Sequence, residues 1–203
     1  MPNGYLTPGQ DIGSQSEDNF TAAANVVGAT PTNGGKLKLT SVPIGDVALA
    51  NIGTATTDVA GQWWLTDILV PYNRTVTAVG VLQGSTATTD KIRVAIWDSF
   101  GKLVGSSAVA GLALASANTF KECTLVLDAA AATVTSLKLF GPQRYFIGVQ
   151  GNGTAAAAIQ TVKAATYIDV LGEVLAGTFG TTPATITPPT TWTADLAPVV
   201  YLL

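Results

Sequence analysis

The stretch KIRVAIWDSFGKLVGSSA, residues 91–108, decides the fold. Ile92, Val94 and Ile96 alternate with Arg93, Ala95 and Trp97, a period of two that sends successive side chains to opposite faces of a strand. Asp98-Ser99-Phe100-Gly101 follows. Asp suits the first position of a turn and Gly a later one that needs positive φ. Lys102-Leu103-Val104 starts a returning strand, so the segment predicts a β-hairpin. Arg144-Tyr145-Phe146-Ile147-Gly148-Val149-Gln150 has the same character, and the two segments read as inner strands of an antiparallel sandwich.

Outward from this hairpin the chain keeps the same grammar. Gln62–Val70 is a strand that Pro71-Tyr72-Asn73 ends, and Arg74–Leu82 reads as the next one, apolar on both faces. Such two-sided strands are expected where a second sheet or a subunit covers the outside. Lys36–Thr40 fits a first strand, Thr54–Gly61 a loop, Phe120–Leu127 a strand carrying Cys123, and Val134–Phe140 a further strand. Gly151-Asn152-Gly153-Thr154 is a hairpin signal, with Ala157–Lys163 as the expected partner and Tyr167–Leu171 as a continuation. Residues 106–118 read as an irregular crossover, 177–191 as a long Gly/Thr/Pro loop, and 197–203 as a closing strand. Short strands at roughly 8–12 residue spacing, with little helical periodicity, predict an all-β antiparallel sandwich. Crossovers near 106–118 and 172–192 favour a jelly-roll-like one. Residues 36–203 form the sandwich domain, and residues 1–35, with Pro2, Pro8 and Pro31, read as an extended N-terminal arm. Both a disordered terminus and an arm that orders on a neighbouring subunit fit that segment, as does a short helix near 19–27.

Composition narrows the function. Of 203 residues, 47% are apolar and only 11% charged, about half the usual charged share. A surface of Thr, Ser, Asn, Ala and Gly packs on other proteins without desolvating charges, so assembly is expected, with a weakly charged monomer as the alternative. Net charge is −3 with no basic block, which disfavours nucleic acid as a partner. No apolar run reaches the roughly 18 to 20 residues of a membrane span, and residues 1–20 lack the basic and apolar regions of a secretory signal. Cys123 stands alone, so it reads as a small buried hydrophobe and not as half of a disulfide.

Histidine is absent. That removes Ser–His and Cys–His nucleophile pairs, histidine metal sites and the commonest general base. Asp67, Asp90, Asp98, Glu122, Asp128, Asp169, Glu173 and Asp195 are the candidates for a glycosidase-type carboxylate pair, which needs two such groups across a cleft. Most sit at turns or strand ends, where Asp bonds nearby backbone. The reading is therefore non-enzymatic: no catalytic residue, no cofactor and no metal, with a carbonyl-lined calcium site left open. The tryptophans offer the one alternative. Trp63 and Trp64 are neighbours, so one points in and the other out, and Trp97 has the opposite phase from Ile96. Exposed, they would form a platform for sugar rings; covered, they would be core or subunit contacts.

KIRVAIWDSFGKLVGSS, followed by LFGPQRYFIGVQGNGT, resembles jelly-roll modules of tailed-bacteriophage virion proteins over roughly residues 60–155. Head decoration (cement) proteins and tail-fibre or carbohydrate-binding domains carry such modules. The resemblance implies a virion structural protein made in the host cytoplasm. Its partners would be the major capsid protein and its own copies, with a homotrimer expected, and neither nucleic acid nor membrane is among them. It transfers no catalytic residue. The alternative it leaves open is a carbohydrate- or receptor-binding module of a tail fibre or spike.

Overall fold

The hairpin at 91–108 forms, and its first strand lies near the middle of a sheet. The computed structural model describes residues 39–41, 53–57, 59–128, 133–153, 158–162, 171–191, 193 and 195–203. The arm foreseen over 1–35 lies outside them, as do 36–38 of the first strand and the Tyr167–Val170 part of the strand foreseen there. In chain order the strands are β1 (Leu39–Thr40), β2 (Thr54–Thr56), β3 (Trp63–Val70), β4 (Arg74–Val76), β5 (Ala78–Leu82), β6 (Lys91–Trp97) and β7 (Leu103–Ser107). They continue with β8 (Leu112–Ala113), β9 (Phe120–Asp128), β10 (Leu137–Leu139), β11 (Gln143–Gly151), β12 (Ile159–Thr161), β13 (Gly172–Leu175) and β14 (Val200–Leu202).

The main ladder runs β1-β14-β5-β9-β7-β6-β11-β3-β13, and every pairing in it is antiparallel. It folds into two layers because β9 serves both. Residues 120–124 pair with β5, whereas Leu125, Leu127 and Asp128 pair with β7 across a register shift at Ser106/Ser107. A bulge of this kind bends a strand and lets it turn a sheet corner. Successive segments pass between layers, from β3 to β5 and back to β6, as in a sandwich. Between the layers lies the main core. Trp64, Ile68, Ile92, Val94, Ile96, Tyr145, Ile147 and Val149 of one layer meet Val79, Val81, Cys123, Leu125, Val200 and Leu202 of the other. Each large side chain so buried stabilises the fold by roughly 1.5–3 kcal/mol before entropy is charged against it.

The turn chemistry is as the sequence reads. Asp98 Oδ1 accepts from the N–H groups of Phe100 and Lys102, each at 2.9 Å, and Gly101 sits at φ 79°. Four expectations need correction. Arg74–Leu82 is two strands, because the segment changes partners at Thr77: β4 pairs with β10, and β5 with β9 and β14. Val134–Phe140 narrows to the three residues of β10. Thr54–Gly61 is not all loop, since β2 lies within it. Finally, the strand after Gly151-Asn152-Gly153 does not fold back on β11. Both edges of β11 are taken, by β3 and by β6, so β12 pairs with β2 instead.

Candidate functional site

The second layer, β7-β6-β11-β3-β13, is apolar on its outer face as well. Trp63 and Leu65 from β3, Ala95 and Trp97 from β6, and Phe146 from β11 form a cluster there, closed by Ile186. The phase expected for Trp63, Trp64 and Trp97 is correct: Trp64 faces the main core, and the other two face outward. Of the two environments left open for them, exposed or covered, the covered one holds. Relative exposures of 1%, 5% and 0% for Trp63, Trp64 and Trp97 mean that these three form no open platform. The cover is the 177–191 loop, whose residues 177–186 cross the outer face as a strap.

Side chains of the sheet grip the strap by its backbone. Trp63 Nε1 donates to Thr181 O at 3.3 Å, and Trp97 Nε1 to Pro183 O at 3.0 Å. Gln150 Nε2 donates to Thr178 O at 3.1 Å and to Gly61 O at 2.7 Å, while its Oε1 accepts from Gly180 N at 3.3 Å. At the far end Leu103 N donates to Ala184 O and Ile186 N to Gly101 O. Buried polar groups cost free energy unless paired, so these side chains and the strap satisfy one another. The two indoles meet edge to face, 5.3 Å between centroids at 88°. They reach each other over β11 because the residue between them is Gly148. A Cβ there would stand 2.6 Å from Trp97 Cζ3 and 2.9 Å from Trp63 Cε3.

Two buried charged groups, Arg93 and Asp67, lie on this face. Arg93 is 1% exposed and stacks over the Trp63 ring at 5.3 Å, with Nη2 bonded to Thr182 Oγ1. Its Nε and Nη1 have no acceptor among the described residues, and burial lowers its proton affinity. Asp67 accepts from Leu171 N at 2.7 Å and pairs with Arg144 Nη1 at 3.2 Å. Desolvation dominates and raises the Asp67 pKa, with the Leu171 hydrogen bond and the Arg144 charge opposing it.

One end of the sandwich presents a different surface. The turns that close β3, β6 and β10 gather there, tied by Gly141 N to Asn73 Oδ1 at 3.0 Å and by Gln143 Nε2 to Ser99 Oγ at 3.1 Å. Tyr145 Oη both accepts from Phe140 N and donates to Phe140 O. This fixed frame holds out Leu69, Phe100 and Phe140, at 60%, 85% and 56% exposure. Large apolar groups held out on an ordered frame are the usual mark of a contact surface.

The remaining candidates are dispersed. Asp98 caps its turn, Glu122 accepts from Tyr201 Oη, and Glu173 lies opposite Leu65 on β13. Asp169 and the side chain of Asp128 fall outside the description. Among the described residues no group of three or more His, Cys, Asp or Glu converges. Burial pushes the Cys123 thiol up to about 12. Sequence reading passed over Arg93, Gln150 and Gly148, because in a strand pattern they look like ordinary outward positions. The signal that pointed to them was a polar phase holding Trp63 and Trp97, which needed a cover. No known protein family, curated protein or solved structure matches this chain.

Proposed function

We propose that this chain is a non-enzymatic structural subunit of a tailed-bacteriophage particle, of the head decoration type, which works by surface contact with the shell and with its own copies. The observation that carries the reading is the apolar end of the sandwich, Leu69, Phe100 and Phe140, on a chain with only 11% charged residues. The resemblance of residues 91–107 and 139–154 to virion jelly-roll modules supports it further. Such a protein needs area rather than chemistry, with interfaces of order 1,600 Å² repeated over many copies so that avidity holds the lattice. Closed symmetry limits the copies to a small ring, and a trimer fits. The glycan-binding alternative loses support, because Trp63, Trp64 and Trp97 are buried.

Phe100→Asp combined with Phe140→Asp tests the reading. Both side chains are exposed, so the fold should survive, which far-UV circular dichroism checks. Light scattering on a sizing column and co-sedimentation with capsid shells should both show loss of association, at least tenfold in affinity. A wild-type chain that stays monomeric and does not sediment with shells refutes the proposal, as does a double variant that binds like the parent.

A further inference from the structure

We infer that Arg93 anchors an oxyanion-binding site on the outer face of the second layer, which the strap closes in the structure described here. A guanidinium cannot discharge by losing a proton in the ordinary pH range, so burial leaves Arg93 charged and in need of acceptors. Its one hydrogen bond goes to the Thr182 hydroxyl, and Nε and Nη1 have none. Among the described residues no carboxylate pairs with it: Asp67, on the same face, is engaged by Arg144 and Leu171 N. The Trp63 ring answers part of the charge from one side, which leaves the in-plane N–H groups for a planar or tetrahedral oxyanion. Guanidinium forks match such groups bidentately.

The cover over Arg93 is suited to give way. Thr182 belongs to the strap and not to the ladder, and just before it Gly180 sits at φ 92° in a turn whose Thr181 N bonds Thr178 O. An entering carboxylate, sulfate or phosphate takes the place of the Thr182 hydroxyl on Nη2 and completes the fork with Nε or Nη1. The backbone anchors on either side, Trp63 Nε1 to Thr181 O and Trp97 Nε1 to Pro183 O, need not break if the Thr182 side chain swings aside. This site is independent of the apolar end and of the particle reading.

Thermal unfolding in sodium acetate, sulfate and phosphate, with sodium chloride holding ionic strength constant, tests the inference. At about 100 times Kd, binding to the folded state alone raises Tm by roughly 5–10 °C for a chain of this size. Acetate acting alone identifies a carboxylate ligand, and sulfate or phosphate acting alone a tetrahedral one. Arg93→Met should abolish the shift, and Thr182→Ala, which removes the competing hydroxyl, should tighten binding several-fold. The chain has three arginines, Arg74, Arg93 and Arg144. Their Nε–H resonances therefore give a readout on the unaltered protein should a variant fail to fold. Absence of a shift beyond chloride in all three salts, an equal shift in Arg93→Met, or an arginine Nε–H spectrum unmoved by titration overturns the inference.

Discussion

Gly148→Ala isolates the device that lets this sheet carry two tryptophans side by side. The added methyl would stand 2.6 and 3.0 Å from Trp97 Cζ3 and Cη2 and 2.9 Å from Trp63 Cε3, where carbon atoms prefer about 3.5–4.0 Å. Relief needs a movement approaching 1 Å, yet Trp97 is fully buried and its Nε1 is held by Pro183 O at 3.0 Å. Overpacking of this kind costs roughly 1–3 kcal/mol. Removing a glycine from a strand interior returns about 0.5–1 kcal/mol. The net is a loss of about 1–2 kcal/mol, or a Tm lower by roughly 2–8 °C for a chain of this length. Urea and thermal denaturation measure the loss, and near-UV circular dichroism follows the indole pair. A double-mutant cycle makes the test specific. Trp97→Phe withdraws the ring atoms that meet the methyl, so Gly148→Ala should cost at least about 1 kcal/mol less in that background. A Gly148→Ala protein as stable as the parent, or a cycle with no coupling, would show that the indoles do not depend on the missing side chain.

Asp67 gives a pH prediction. Its folded pKa is raised above the ordinary 3.8. Its protonated form therefore favours folding below the ordinary value, and that advantage is lost as pH rises through the folded one. Asp67→Asn removes the titration, so the variant's Tm relative to the parent should climb as pH is raised above the ordinary carboxylate value of 3.8; a difference flat in pH refutes the burial argument. Cys123, buried and with its thiol pushed up to about 12, should react with a thiol reagent only as fast as the fold opens, at least a hundredfold slower than in urea. Rapid labelling of the native chain would show that this part of the core is open.

The sequence alone determined the local elements, since strand alternation and turn chemistry depend on residues near one another. Ile92, Val94 and Ile96 marked the core face of β6, and Asp98 with Gly101 marked its turn. Cys123 was legible as a core residue, and the opposite phases of Trp63 and Trp64 were legible as well. Tertiary structure decided which partner each edge took. Whether β12 returns to β11 depends on β3 and β6 having filled both of its edges, a fact about segments far earlier in the chain. It also decided that the outward tryptophans are covered. The strap over Trp63 and Trp97 is a Gly/Thr/Pro loop with no pattern of its own, and it is held by backbone carbonyls, which every residue possesses. Arg93 and Gln150 acquire their roles only from that cover. A side chain's position in a strand fixes its direction, but what stands over it depends on the whole chain.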